Sequence, residues 1–163
     1  MRRLVIVFIL TIVVGVGIYL ISTMIFNQEE KKVLEEKETE PILFDDSYSK
    51  EITIDHFEEE IKNNEQMIIF IGRKEEEATK KVSNVLKKVE NIDELNVYYL
   101  EKEEKINEQP SYKNLLSTYK ELSNYMNFTP VILVFKNNTF IGGLPGEVEE
   151  KNLLQFLEYT EVI

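Results

Sequence analysis

Three consecutive glutamates, Glu75, Glu76 and Glu77, stand where the apolar run Met67 to Ile71 gives way to a helical pattern. Carboxylates there can bind a basic peptide or occupy the first turn of a helix, whose free N–H groups and dipole favour negative charge. Consecutive helical positions are turned about 100° from one another, so these side chains are poorly placed to chelate one metal ion. We expect no metal site, and we interpret the glutamates first as helix-start residues, with peptide recognition as the alternative.

Two other features could carry chemistry. Thr129-Pro130 directly precedes a second apolar run, Val131 to Phe135, where a proline can be a simple turn residue or a cis residue that shapes a binding edge. His56, the only histidine, follows Asp55 in a predicted helix. No serine or cysteine nucleophile motif accompanies it, so we interpret it as a solvated helix residue and not as a catalytic base.

Composition removes several classes of function. The 163 residues include no cysteine, which excludes disulfides, thiolate metal sites and thiol nucleophiles. The net charge of −11 argues against nucleic acid as a partner, because phosphate binding needs a basic surface. We predict no cofactor.

The N-terminus predicts membrane attachment. Arg2 and Arg3 precede an uncharged run, residues 4–26, which at 23 residues is long enough to cross a bilayer as a helix. Basic residues before the run and acidic ones after it predict that residues 1–3 are cytoplasmic and the remainder extracytoplasmic. A cleaved signal peptide is the alternative, although its apolar part is usually shorter and ends at small residues. We therefore predict a single-pass cell-membrane protein that contacts lipid through residues 4–26.

The segment after the span is predicted to hold the folded domain away from the bilayer. Residues 27–47 are rich in Glu, Lys and Gln up to Pro41, as expected for a charged linker. The acidic excess of the chain lies beyond the span, so anionic lipid head groups should repel residues 48–163, the predicted extracytoplasmic domain.

Periodicity within residues 48–163 predicts one α/β domain. Apolar residues at helical spacing alternate with short apolar runs, in the order β-α-β-α-β-α-β-β-α. Strands separated by helices are expected to pair in parallel. Asn137-Asn138 predicts a tight hairpin turn between the last two strands, because Asn tolerates positive φ. Gly142 and Gly143 are expected to close the last strand, and the apolar residues from Tyr112 to Met126 recur at the spacing of a helix.

This order, with two stretches, resembles thioredoxin. The stretches are "MIIFIGR" leading into a helix, at Met67–Arg73, and "FTPVILVFKNNTFIGGLPG", at Phe128–Gly146. The "IGR" entry and the anchored layout are most similar to the membrane-anchored bacteriocin transport accessory branch of thioredoxin-like proteins from Gram-positive bacteria. The resemblance implies a thioredoxin-like central mixed sheet flanked by helices, preceded here by one transmembrane helix, and a cis bond at Thr129-Pro130.

The resemblance also implies what this chain has lost. The Cys-x-x-Cys motif of the family falls on Glu76, Glu77, Ala78 and Thr79. Disulfide exchange needs a thiolate, so the chain by itself is not a thiol-disulfide oxidoreductase.

What remains is the groove beside the lost motif. In the resembling family the backbone before the cis-proline pairs with an extended peptide, which needs no cysteine. We therefore predict a redox-inactive protein- or peptide-binding module, with Glu75, Glu76, Thr129 and Pro130 as the binding residues, serving bacteriocin export or immunity. The alternative is a chaperone-like folding factor or an enzyme with cysteine-independent chemistry.

Overall fold

The computed structural model describes residues 42–93 and 95–163 of the chain. This part of the chain contains five strands and four α-helices. The strands are β1 (Lys50–Ile52), β2 (Gln66–Gly72), β3 (Val97–Glu101), β4 (Val131–Lys136) and β5 (Thr139–Pro145). The helices are α1 (Ile54–Asn63), α2 (Glu77–Asp93), α3 (Pro110–Thr118) and α4 (Glu150–Tyr159), with short 3-10 turns at Ile106–Glu108 and Lys120–Asn124.

The strands form one mixed sheet in the order β1-β3-β2-β4-β5. β3 pairs in parallel with both β1 and β2, because a helix crosses over between each strand and the next. β4 runs antiparallel to β2, with Ile71 opposite Val131, and β5 returns antiparallel to β4. The C-terminal end of β2 and the N-terminal end of β4 therefore lie next to each other, at the same end of the sheet.

Both faces of the sheet are covered. Side chains of a strand alternate between faces, and in β2 those on both faces are buried. On one face α1 and α3 supply Phe57 and Leu115 to a core that includes Ile69 of β2. On the other, α2 and α4 supply Leu86 and Leu157 to a core that includes Phe70. The sheet is thus the middle layer of three, which explains why its central strands are almost wholly apolar.

The element order predicted from the sequence is confirmed, with two differences in extent. β5 continues through Gly142 and Gly143 to Pro145, whereas the glycines were expected to end the strand. A Cβ at Gly143 would lie 2.5 Å from Cδ1 of Tyr125, so glycine is needed inside the strand to admit that ring. The apolar pattern expected to form one helix from Tyr112 to Met126 divides at Tyr119, where ψ of 79° departs from helical geometry.

The residues just before β1 pack against the domain. Phe44, in the segment predicted to be linker, lies with its ring centroid 4.8 Å from that of Tyr99. The backbone N–H of Asp45 donates to Ser83 Oγ of α2 over 3.0 Å, and the Ser83 hydroxyl donates back to the Asp45 carbonyl. The Lys87 ammonium contacts the Asp45 carboxylate. We call residues 42–49 the strap.

No helix within residues 42–93 and 95–163 combines the length and apolar character needed to cross a bilayer. The predicted span at residues 4–26, and the cytoplasmic residues 1–3 before it, lie outside the described residues.

Candidate functional site

The strand-to-helix junction between β2 and α2 is a tight, ion-paired turn. The backbone N–H of Glu76 donates to the Arg73 carbonyl over 2.9 Å, and Arg73 Nη1 lies 2.9 Å from Glu76 Oε1. Glu76 also accepts, through its carbonyl, the first helical hydrogen bond, from Lys80 N–H at 3.1 Å. Glu76 thus occupies the position immediately before α2, where the resemblance implied the first residue of the Cys-x-x-Cys motif.

Thr79, at the last position of that motif, is fully buried and has a structural task. Its Oγ1 accepts a hydrogen bond from the backbone N–H of Arg73 at 3.2 Å. A Cβ at Gly72 would approach Thr79 Cγ2 to 2.5 Å, so the two residues fit only because position 72 has no side chain. The hydroxyl closes the turn that the strand makes before entering α2.

The three glutamates do not form a common acidic surface. Glu76 pairs with Arg73, and Glu77 pairs with Lys81 at 3.1 Å, which also reaches Glu147 at 3.4 Å. Glu75 is exposed and has no ion-pair partner among the described residues. A basic peptide would therefore meet one free carboxylate here instead of three.

Metal chelation finds no support in the described part of the chain. Within residues 42–93 and 95–163, no group of three or more histidine, aspartate or glutamate side chains is arranged to hold a metal ion.

Thr129 and Pro130 lie at the same end of the sheet as the junction between β2 and α2. The β2–β4 register pairs Ile71 with Val131, and continuing it by one residue sets Pro130 opposite Gly72. The Thr129-Pro130 bond is cis, as the resemblance implied. Pro130 is buried, and its carbonyl accepts from Gly146 N–H at 2.8 Å.

The backbone of Thr129 differs from its surroundings because it is unpaired. Neither its N–H nor its carbonyl has a hydrogen-bond partner among the described residues. The preceding residue, Phe128, is 49% exposed, although buried or half-buried positions are usual for such a large apolar side chain. An unpaired donor and acceptor beside an exposed ring can accept an extended chain by strand addition.

Sequence reasoning missed Lys102, which links the junction to the segment before Pro130. Its Nζ donates to the carbonyls of Met126 at 2.7 Å and Phe128 at 3.0 Å. Arg73 Nε donates to the Lys102 carbonyl at 3.2 Å. The available signal was topological: Lys102 directly follows β3, and the carboxyl ends of adjacent parallel strands lie at one edge of a sheet. We call Gly72–Thr79, Lys102 and Met126–Pro130 the junction end.

Beneath the junction lie aromatic side chains. Tyr99 is buried, with its hydroxyl donating to Glu101 Oε2 at 2.6 Å and lying 3.1 Å from the Gly72 carbonyl. Burial raises the pKa of Tyr99, and the hydrogen bond with Glu101 and the charge of that carboxylate raise it further. Tyr99 is thus a protonated hydrogen-bond donor that braces the end of β2.

A separate cleft of about 430 Å³ opens at the ends of β1 and β3 and includes Thr53 and His56 in its lining. Thr53 Oγ1 lies 2.9 Å from His56 Nδ1. His56 Nε2 has no hydrogen-bond partner in the described part of the chain. The pair therefore lacks the third group that orients the base in nucleophilic catalysis, and we interpret the contact as local support for the start of α1.

Known structures similar to this one share the thioredoxin fold. Oxidized mitochondrial thioredoxin 3 from Saccharomyces cerevisiae matches with a TM-score of 0.52 at 14% identity, over 69% of this chain and 96% of its own. Chlamydomonas reinhardtii thioredoxin f2 matches with a TM-score of 0.51 at 12% identity, over 68% of this chain and 95% of its own. A chain from the structural study of thiol resolution in yeast mitochondrial 1-Cys peroxiredoxin matches with a TM-score of 0.53 at 16% identity, over 69% and 96%.

Identities this low show the fold alone. The chain matches no protein-family model, and no curated protein matches it in sequence. The chain therefore has a thioredoxin-like α/β fold, and its sequence contains no cysteine.

Proposed function

We propose that the chain is a membrane-anchored, redox-inactive thioredoxin-like module that binds a protein or peptide partner at the outer face of the cytoplasmic membrane. The observation that carries this proposal is the unpaired backbone of Thr129, next to the exposed ring of Phe128. Pairing of an extended peptide with an unpaired backbone segment uses main-chain hydrogen bonds for affinity and neighbouring side chains for selectivity. It needs no thiol.

The test is site-specific photocrosslinking in cells that express the full chain. A photoreactive amino acid at position 76 or 129 samples the two sides of the groove, and one at Asn138, in the hairpin turn at the opposite edge of the sheet, is the matched control. We expect a defined partner to crosslink from 76 and 129 and not from 138. In a chain that carries the photoreactive residue at position 76, charge reversal of Glu75 combined with Thr129→Ala should weaken that capture. Unchanged capture in the combined variant would remove the groove from the proposal.

The identity of the crosslinked species separates the more specific roles. The resemblance to bacteriocin transport accessory proteins supports a role in bacteriocin export or immunity, for which a transporter or a small secreted peptide should be captured. Capture of many unfolded secretory proteins would instead support the chaperone-like alternative, which the exposed Phe128 also favours because such clients expose apolar segments.

The proposed membrane topology rests on Arg2, Arg3 and the apolar run at residues 4–26, followed by a linker at residues 27–47. Because the chain has no cysteine, a single introduced thiol reports its location without background. Ser117 is exposed on α3, so Ser117→Cys is a suitable reporter. A membrane-impermeant maleimide should label this variant in intact cells. Labelling only after lysis would refute the proposed orientation.

A further inference from the structure

Lys102 contacts each segment of the proposed groove. Its backbone N–H donates to the Gly72 carbonyl at 2.8 Å, at the end of β2. Its carbonyl accepts from Arg73 Nε at 3.2 Å, in the junction turn. Its ammonium donates to the carbonyls of Met126 and Phe128, directly before Thr129. One residue therefore joins the end of β2, the junction turn and the segment that leads into β4.

The bond to Phe128 bears directly on the unpaired donor of Thr129. The Phe128 carbonyl and the Thr129 N–H belong to the same peptide unit, which is planar and trans, so the two groups point in opposite directions. An ammonium that holds the carbonyl therefore also aims the N–H away from Lys102. Without that ammonium, the unit is free to rotate and turn the donor out of the groove.

The charge of Lys102 is placed on these carbonyls instead of on a carboxylate. No carboxylate lies within ion-pair distance of its ammonium among the described residues, although the chain has 30 acidic residues. Burial lowers the pKa of Lys102, and so does the nearby Arg73, while Glu76 acts in the opposite direction. A charged donor makes shorter and stronger hydrogen bonds to carbonyls than a neutral one does. The ammonium therefore fixes the orientation of a peptide unit, although an ion pair with a carboxylate would stabilise its charge more.

We propose that Lys102 is the positioning residue of the groove, holding the Phe128–Thr129 peptide unit so that the Thr129 N–H faces a partner strand. The proposal rests on the proposed function, since it explains how the same groove is kept ready to bind. Lys102 acts through the backbone of its neighbours and touches no partner itself.

The experiment compares Lys102→Met, Lys102→Arg and Lys105→Met in the full chain. Methionine keeps an unbranched apolar side chain and removes the ammonium, whereas arginine keeps a permanent charged donor. Lys105 is an exposed lysine three residues further on, and its replacement is the matched control. Each variant carries the photoreactive residue at position 76, so that Thr129 stays intact, and its thermal unfolding is measured to show that it is folded.

Capture from position 76 should fall about tenfold or more in Lys102→Met, the loss expected when one well-placed interaction disappears. Lys102→Arg should restore most of the capture, and Lys105→Met should behave as the unsubstituted chain. A folded Lys102→Met variant that captures as well as the unsubstituted chain would overturn the proposal.

A second readout needs no partner and keeps the two proposals separable. In ¹⁵N-labelled protein, the Thr129 amide resonance should shift and broaden in Lys102→Met and return toward its original position in Lys102→Arg. If the unsubstituted chain captures nothing, the proposed function fails while this readout still tests Lys102. An unchanged Thr129 amide in Lys102→Met would show that Lys102 does not set the orientation of the peptide unit.

Discussion

The contacts that close the sheet differ between its two ends. At the junction end, charged side chains of Arg73, Glu76 and Lys102 connect the segments, and the backbone of Thr129 is left unpaired. At the other end, neutral amides close the structure: Asn64 Nδ2 donates to the Glu60 carbonyl at 2.7 Å, and its Oδ1 accepts from Asn96 at 2.9 Å. We call residues 60–66, 96, 137–138 and 162 the amide end.

Further hydrogen bonds between neutral groups close the amide end. At the amide end the Asn137 N–H donates to the Glu65 carbonyl at 2.7 Å, and Gln66 Nε2 donates to the Val162 carbonyl at 3.0 Å. The Lys50–Glu60 ion pair also lies at this end, and because partly exposed pairs contribute at most about 1 kcal/mol each, neither it nor the Arg73–Glu76 pair dominates the stability of its end. The amide end is thus closed by hydrogen bonds between neutral groups, whereas the junction end combines charged side chains with the unpaired backbone of Thr129, on which the proposed binding rests.

The largest expected effect is at the junction end, from Gly72→Ala. The new Cβ would lie 2.5 Å from Thr79 Cγ2, and overpacking of this kind costs up to about 3 kcal/mol. Urea unfolding of the full chain measures the loss. Gly142→Ala is the matched control, since its Cβ would lie 3.4 Å from the nearest Phe156 atom and should cost far less.

A double variant tests the cause of that loss. Thr79→Ala removes the methyl and hydroxyl groups that the new Cβ meets, so Gly72→Ala with Thr79→Ala should be more stable than the two single losses predict. Contacting residues commonly couple by about 0.5–3 kcal/mol. Strict additivity would show that the clash is relieved some other way, and the tight fit at the junction would then carry less weight.

Asn64→Ala should have the next largest effect, and it separates the two ends most clearly. The substitution removes the bonds to Glu60 and Asn96 and the acceptor for the Tyr98 hydroxyl at 3.2 Å. At about 0.5–1.5 kcal/mol for each hydrogen bond, the loss of unfolding free energy should be about 2 kcal/mol. Asn63→Ala, at the adjacent exposed residue, is the control.

Partner capture by the Asn64→Ala chain should stay unchanged at temperatures where it is folded, because the substitution lies at the end opposite the groove. Photocrosslinking from position 76 measures this. Capture that falls in proportion to stability would mean that the amide end and the junction end are not independent of each other.

Thr79→Val should have a smaller effect. Valine keeps the shape of the buried side chain and removes the acceptor for the Arg73 N–H, which leaves that donor unpaired at a cost of about 1 kcal/mol. Thr79→Ser, which keeps the acceptor, is the control, and hydrogen exchange of the Arg73 amide is the measurement. Faster exchange in the serine variant than in the valine variant would show that the hydroxyl does not protect this amide.

The sequence predicted the strands of the sheet because their signals are local. The apolar runs Met67–Ile71 and Val131–Phe135 indicate strands covered on both faces, and Asn137-Asn138 indicates the hairpin turn that the structure contains. The resemblance then located Thr129-Pro130.

The connections between segments were beyond the sequence because they join distant residues. Nothing near Lys102 indicates that its ammonium meets carbonyls 24 and 26 residues later. Of the three glutamates expected in the first turn of a helix, only Glu77 lies in α2, and Glu75 and Glu76 precede it. The pairing of Glu76 with Arg73 and of Glu77 with Lys81 depends on the turn geometry. Residues 42–47 of the strap were predicted as part of the linker from their position in the chain, and the packing of Phe44 on Tyr99 could not be inferred because the two residues are distant in sequence.

The smallest expected effect is a pH dependence of stability. It tests whether charged contacts of the strap respond to acid while the neutral contacts at the amide end do not. The strap carries Asp45, which contacts Lys87, and Asp46, which pairs at 3.3 Å with Lys74 in the junction turn. The hydrogen bond from Lys87, supported by Ser47, lowers the pKa of Asp45 from 3.8 to about 2. Folding therefore favours the ionised carboxylate, so the contribution of Asp45 to stability is present above pH 3.8 and is lost as the pH falls through about 2.

The difference in thermal unfolding between the unsubstituted chain and Asp45→Asn should accordingly shrink between those two pH values. Gln66→Ala at the amide end is the matched comparison, because it removes a hydrogen bond between two neutral groups, the side-chain amide and the Val162 carbonyl. Its effect on unfolding should stay constant over the same range. Two differences that shrink together would mean that acid loosens the whole domain, whereas shrinkage for Asp45 alone would show that the charged contact between the strap and α2 titrates independently of the amide end.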